Sequence, residues 1–344
     1  MKAMLLKKTH CLKESKTPLE LVDMPIPKPR ANQVLIKISV CGVCHTKLDE
    51  IEGRTPPAEF PMVLGHQVVG VVVELGKEVS KIKLGQRVGV AWIFSTCGKC
   101  KFCKEGFENL CDEFLATGRD VNGGYAEYMT AQAKYLYPIP ESFSDSEAAP
   151  LLCAGAIGYR SIILAKIKDG NILGLTGFGA SAHLVLKMVK YMYPHTKIFV
   201  FARKKEEREF AKELGAEWAG NVLDIPPLKM DCIIDTTPVW KNVVEALGNL
   251  EKGGRLVINA IRKENIDKDY LQNLSYERHL WLEKEIKSVA NITAKDVNDF
   301  LTLADKASLK PEVTEYALEE ANNALMDLKN KKIRGAKVLR ISNH

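Results

Sequence analysis

Between Leu151 and Thr293, short apolar runs alternate with helical stretches, and this alternation limits the possible folds more than any other feature of the chain. The order is NILGLT, SAHLVLKMVKYMY, KIFVF, KKEEREFAKELGA, DCIIDTT, a helix ending before Gly253-Gly254, and RLVINA. A strand that rejoins its sheet in parallel needs a crossover of about a dozen residues or more, so repeated βα units imply a parallel sheet with helices on both faces. Upstream of about Pro150 the pattern changes to β-branched alternation with turn signals, as in VLIKISV at 34–40, VVGVVVELG at 68–76 and RVGVAW at 87–92. That half is predicted to be mostly β. Beyond about 293 the sequence reads as helices plus a strand, AKVLRI, that returns to the first half. With 344 residues, 46% of them hydrophobic, the chain is long enough for two domains with a sizeable core.

Two motifs carry chemistry on their spacing. After NILGLT comes Gly177-Phe178-Gly179-Ala180-Ser181-Ala182, a G-x-G-x-x-A turn between a strand and a helix. In that context the first glycine makes the turn and the second lets backbone approach a pyrophosphate. The small third residue allows close helix packing, and the phosphates face the helix N-terminus. Cys97, Cys100, Cys103 and Cys111 follow C-x2-C-x2-C-x7-C. Four thiolates on one tight lobe suit a closed tetrahedral structural zinc; an iron–sulfur site and unrelated core thiols remain open alternatives. Most of the nine cysteines fall within 41–44 and 97–111, an uneven spread for a disulfide framework, which favours metal ligation.

A more scattered set is Cys44 in VCGVCHTKLDEIEG, His66 in VLGHQVVG and Cys153 in LLCAGAIGYR, with the hydroxyl of Thr46 two positions after the first. Two thiolates and an imidazole would leave a fourth zinc position for a water or substrate oxygen. Taken singly, the same residues also read as buried small hydrophobes and a core histidine. The net charge of +6 comes from basic residues spread along the chain, without the dense basic run interleaved with aromatics that nucleic-acid binding would need. No apolar run approaches the roughly 20 residues of a membrane span, and the first residues lead into polar sequence, so a cytoplasmic protein without membrane or nucleic-acid partners is expected.

GVCHT, GHQVVGVVVELG, the four-cysteine lobe and LLCAGAIGYR together resemble, in order and spacing over nearly the whole chain, the zinc-dependent alcohol dehydrogenases of the medium-chain family. The resemblance implies an α/β protein: a GroES-like, mostly β catalytic domain (1–152 and 293–344) and a Rossmann doubly wound parallel-sheet domain (153–292), with the active site in the cleft between them. It implies two Zn2+ per chain, one held by Cys44, His66 and Cys153 and one by the four-cysteine lobe. Thr46 is then the hydroxyl that passes the alcohol proton outward, and Trp92 lines the substrate pocket. His45 and Arg334 join the glycine turn in binding the coenzyme. A hydride would move between a small alcohol or aldehyde and the nicotinamide, in a homodimer or homotetramer. The alternative is a dinucleotide-binding protein with a structural zinc and little catalysis.

Three positions depart from the family pattern. Gln67 stands where a glutamate is common, Lys47 where an acid is common, and Asp49 where a histidine often ends the proton relay. Lost carboxylates around a metal weaken its hold, so Gln67→Glu and Lys47→Asp are both expected to tighten zinc. Asp49 would either relay a proton itself or face solvent. At the end of KIFVF, aligned from KELGA, Ala202 takes the place of the ribose-binding acid and is followed by Arg203 and Lys204. Loss of the carboxylate and gain of cations predict NADP(H) as the preferred coenzyme, with NAD(H) possible. Asp235 lies one βα unit too late to be that acid, and a loop or capping role is expected for it.

Overall fold

A computed structural model describes residues 1–330 and 335–342. The chain divides into two compact units, Met1–Ala156 with Ile292–His344, and Ile157–Asn291. The divisions expected at 152/153 and 292/293 fall instead at 156/157 and 291/292, so Cys153 belongs to the unit that also contains Cys44 and His66.

The second unit is built on six parallel strands: β1 (Ile172–Thr176), β2 (Lys197–Phe201), β3 (Trp218–Gly220), β4 (Met230–Asp235), β5 (Leu250–Ile258) and β6 (Glu285–Ser288). Their spatial order is β3-β2-β1-β4-β5-β6, the order of the doubly wound dinucleotide-binding sheet. Helices Ala180–Met192, Lys205–Glu213 and Trp240–Asn249 supply crossovers where the 3.6-residue periodicity placed them. A core of Phe199, Phe201, Met230, Ile233, Leu247 and Leu256 joins strands to helix. The Gly253-Gly254 pair, expected to precede β5, lies inside it. Gly253 adopts φ +68°, and the β4 register shifts between Met230 and Cys232, which absorbs the extra residues as a bulge.

The first unit contains a seven-stranded sheet in which the long strand Gln33–Val43 pairs with Val68–Leu75, Tyr128–Gln132 and Ala336–Arg340. The C-terminal strand therefore closes on the N-terminal half, with Lys337 opposite Val43. Val34, Ile36, Ile38, Val68, Val88 and Val90 share one core with Met4, Leu6, Tyr125 and Leu325. Asp145–Ala165 is 21 residues long and apolar enough to cross a membrane by length and composition alone, contrary to the expectation that nothing in the chain is. Its apolar positions are used up inside the protein: 67% of its most apolar window is buried. Within it, Leu151–Gly155 is a π-helical turn, a widening often found at functional sites, and it contains Cys153.

Candidate functional site

Cys44 N-caps the short helix His45–Ile51, so Thr46 sits in the helix's first turn. His66 follows Gly65, whose φ of +102° admits glycine and few other residues, on the approach to Val68–Leu75. Cys153 sits in the π-turn. The three come together: His66 Nε2 lies 3.6 Å from Cys44 Sγ and 3.4 Å from Cys153 Sγ, and all three ligand atoms fall within 4.8 Å of one another. A tetrahedral zinc with Zn–S of about 2.3 Å and Zn–N of about 2.05 Å has an S···N edge of about 3.6 Å, so the spacing fits one ion with a vertex left open. The charge states of His66 and Cys44 suit a metal ligand, while Cys153 would have to lose its proton to the ion. Burial holds the His66 imidazole below its usual value and hence neutral. A hydrogen bond from the Cys153 thiol holds Cys44 well below the ordinary thiol range, while Cys153 itself is raised.

The four-cysteine lobe is also assembled. Cys97 Sγ lies 3.9 Å from Cys103 Sγ and 3.6 Å from Cys111 Sγ, beside about 3.8 Å for the S···S edge of a tetrahedral zinc thiolate. With all four sulfurs within 4.8 Å there is room for one ion and none for a multi-iron cluster, which would hold its thiolates apart by its own width. Gly98 and Gly106, at φ +71° and +77°, turn the chain around the site. Backbone amides of Cys97, Cys100 and Cys103 donate to sulfurs within the lobe. Such a site acts through the loop it closes, so Cys97→Ser or Cys103→Ser is expected to lower Tm while the low-temperature activity survives. Each kcal/mol lost should move Tm by about 2–4 °C. A variant that melts like the parent but is inactive in the cold would contradict this role.

The three departures take on a structure. Lys47 and Glu50 are both fully buried, and Lys47 Nζ donates to Glu50 Oε1 at 2.8 Å, to Oε2 at 2.7 Å and to Gly118 O at 3.2 Å. Burial holds the Glu50 carboxyl up at about 8 even against the opposing pull of the Lys47 ammonium. This corrects the expectation for Lys47→Asp: that change would set two carboxylates against each other in a buried space and damage the fold before it could tighten a metal. Glu50 was missed in the sequence, although a Lys/Glu pair three residues apart on a helix was a readable signal. Gln67 is buried across Gly42, where an added Cβ would meet its Oε1 at 2.0 Å, and its side chain hydrogen-bonds to Cys153 in the sense that favours the thiolate. Asp49 does not face solvent; it is 7% exposed and accepts from Arg54 Nε at 2.6 Å. Trp92, expected to line a pocket, is 3% exposed with its ring against His66, Lys47 and Arg119.

In the second unit the glycine turn lies between β1 and the helix Ala180–Met192, which Gly179 N-caps. Gly177 has φ +80°, and a Cβ there would meet Thr236 Oγ1 at 2.8 Å. At Gly179 a Cβ would meet nothing within 4 Å, so the backbone is open where a phosphate would approach. Phe178 packs on Phe210, Ala182 is fully buried against the sheet, and Ser181 Oγ lies 3.5 Å from Asn259 Nδ2. At the end of β2, Ala202 is buried, Arg203 is exposed and Lys204 is half-buried. Arg208, not singled out in the sequence, donates to the carbonyls of Ala202 and Arg203 at 2.9 Å and fixes that loop. Asp235 has the structural role expected of it: Thr176 and Thr237 hydroxyls donate to it at 2.5 and 2.7 Å, and Lys263 pairs with it. His45 is exposed, and Arg334 lies outside the described residues.

Residues 30–141 match the family model described as an alcohol dehydrogenase GroES-like domain. "Probable alcohol dehydrogenase AdhA" of Mycobacterium tuberculosis is 40% identical over 329 residues, covering 94% of this chain and 93% of that protein. An alcohol dehydrogenase of Geobacillus stearothermophilus is 33% identical over 347 residues, covering 97% of this chain and 99% of the relative. Among solved structures, a cinnamyl alcohol dehydrogenase of Sorghum bicolor superposes with a TM-score of 0.87 at 25% identity, covering 98% of this chain and 97% of that one.

Proposed function

Because the chain belongs to the zinc-type medium-chain alcohol dehydrogenases, NAD(P)-dependent oxidoreductases acting on CH–OH groups, we propose that Cys44, His66 and Cys153 form its catalytic zinc centre. The four-cysteine lobe then holds a second, structural zinc, and the substrate is a small alcohol or aldehyde. The observation that carries this reading is the convergence of two sulfurs and one imidazole nitrogen at single-ion spacing with one vertex free.

A zinc ion bound there supplies Lewis-acid polarisation of the substrate oxygen, and the bound nicotinamide supplies the hydride acceptor or donor. The chain's own residues do the rest. Cys44, His66 and Cys153 would hold that ion where their three ligand atoms converge. Thr46, in the first turn after Cys44, takes the hydroxyl proton and passes it outward. Asp49, paired with Arg54, is assigned to anchoring the end of that helix, since its carboxylate is already engaged. Gly177 and Gly179 with the following helix N-terminus receive the pyrophosphate, and Arg203 with Lys204 favours NADP(H).

Metal analysis of the purified protein, joined to assays of an alcohol and aldehyde panel with both coenzymes, tests the reading. About two zinc ions per chain and zinc-dependent turnover are expected. About one zinc per chain, with no turnover on any member of the panel, would refute it.

A further inference from the structure

We propose that Trp92, braced by the buried Lys47–Glu50 pair, is the positioning residue for His66, doing by ring packing what a hydrogen bond to Nδ1 does at most histidine metal sites. The inference rests on the reading of Cys44, His66 and Cys153 as a metal centre. His66 presents Nε2 to both sulfurs, so Nδ1 points away from the ion position. A metal-ligating histidine almost always donates its second N–H to a carboxylate, a carbonyl or water, which fixes the tautomer and the ring angle. Here Nδ1 is buried with no hydrogen-bond partner among the described residues. The imidazole needs another restraint.

Trp92 provides one. The two rings meet edge to face, with centroids 4.7 Å apart and planes at 86°. The indole is in turn held by two cations, with Lys47 Nζ 5.3 Å and Arg119 Cζ 5.6 Å from its ring centroid. Neither cation is free to drift. Lys47 is tied to both oxygens of Glu50 and to the Gly118 carbonyl, and Arg119 is tied to Asp120 by bonds of 2.9 and 2.7 Å. A buried ion pair adds little net stability against apolar side chains of the same size. What this one supplies is a fixed charge over the indole, where low local dielectric strengthens the cation–π contact. The contacts run Glu50 to Lys47 to Trp92 to His66, and so join the helix capped by Cys44 to the second ligand of the same centre. With no carboxylate on Nδ1, orientation of the ring depends on that series.

The holoenzyme tests this through chelator-driven zinc release and through the ligand-field spectrum after cobalt(II) exchange. Lys47→Met with Glu50→Gln removes both charges at nearly constant size; Trp92→Leu removes the ring; Trp92→Phe keeps an aromatic edge. The double variant and Trp92→Leu are expected to release one zinc about 10–100-fold faster than the parent and to shift the cobalt bands. Trp92→Phe should recover most of the difference, and release from the four-cysteine lobe should not change. Parent-like release and an unshifted spectrum in a folded double variant overturn the proposal. If Trp92→Leu does not fold, the double variant decides alone. A parent with no metal at this centre overturns the metal-centre reading along with the inference, whereas a loaded parent whose variants release metal normally overturns the inference alone.

Discussion

Replacing Cys44 with Ser, His66 with Ala or Cys153 with Ser is expected to lower kcat/KM by at least about 10³-fold while the fold persists. Lewis-acid stabilisation of a developing oxyanion is worth several kcal/mol, and about 4 kcal/mol corresponds to about 10³ in rate. Each substitution leaves two ligands at a site that needs three. The side chains lie on three separate segments, a helix N-cap, a loop after Gly65 and a π-turn, and none supplies the large apolar contacts of the core around Val34, Ile36 and Tyr125. Far-ultraviolet circular dichroism and the melting transition should therefore stay close to the parent, with zinc content falling by about one ion per chain. Undiminished turnover in any of the three would remove that residue from the metal set.

The second large effect concerns the coenzyme. The unmodified protein is expected to show a higher kcat/KM with NADPH than with NADH, and Ala202→Asp combined with Arg203→Ile is expected to reverse that order, with a total swing of about 10²-fold. A charge-assisted hydrogen bond is worth about 1.5–3 kcal/mol, and a new carboxylate at 202 would both repel a 2′-phosphate and accept from a ribose hydroxyl. The local structure suits the exchange. Ala202 closes β2 with its amide donating to Gly220 O at 2.9 Å, Arg203 is exposed, and Arg208 holds both of their carbonyls, so the loop keeps its course when the two side chains change. Steady-state kinetics with both coenzymes checks it. Equal or better use of NADH by the parent would refute the assignment and leave the zinc centre untouched.

Local signals were legible because local physics sets them. The βα alternation depends on periodicity within each segment, and it returned the four inner parallel strands; it missed the short edge strands Trp218–Gly220 and Glu285–Ser288 and the bulge that drew Gly253-Gly254 into β5. The four-cysteine lobe needs only short spacing and two glycines able to adopt positive φ, all of which lie within fifteen residues, Cys97 to Cys111. The turn from Gly177 to Ala182 is local in the same way, and its open face at Gly179 follows from the missing Cβ.

The three-ligand centre was different in kind. Read singly, Cys44, His66 and Cys153 were indistinguishable from core residues, because His66 is 22 positions from Cys44 and 87 from Cys153; only family resemblance linked them. Their meeting depends on how a helix cap, the loop after Gly65 and a π-turn pack, and no short-range pattern encodes that. The same holds for the surroundings. In sequence Lys47 reads as a carboxylate lost from around the zinc and Asp49 as a proton relay or a solvent-facing acid; burial gives each a partner, Glu50 and Arg54, and sets the Lys47–Glu50 pair beside an indole. The sequence alone determined most of the regular elements and the two local motifs, the glycine turn and the four-cysteine lobe. Tertiary structure decided which residues share a site and in what charge state, because desolvation and long-range contact exist only once the chain is folded.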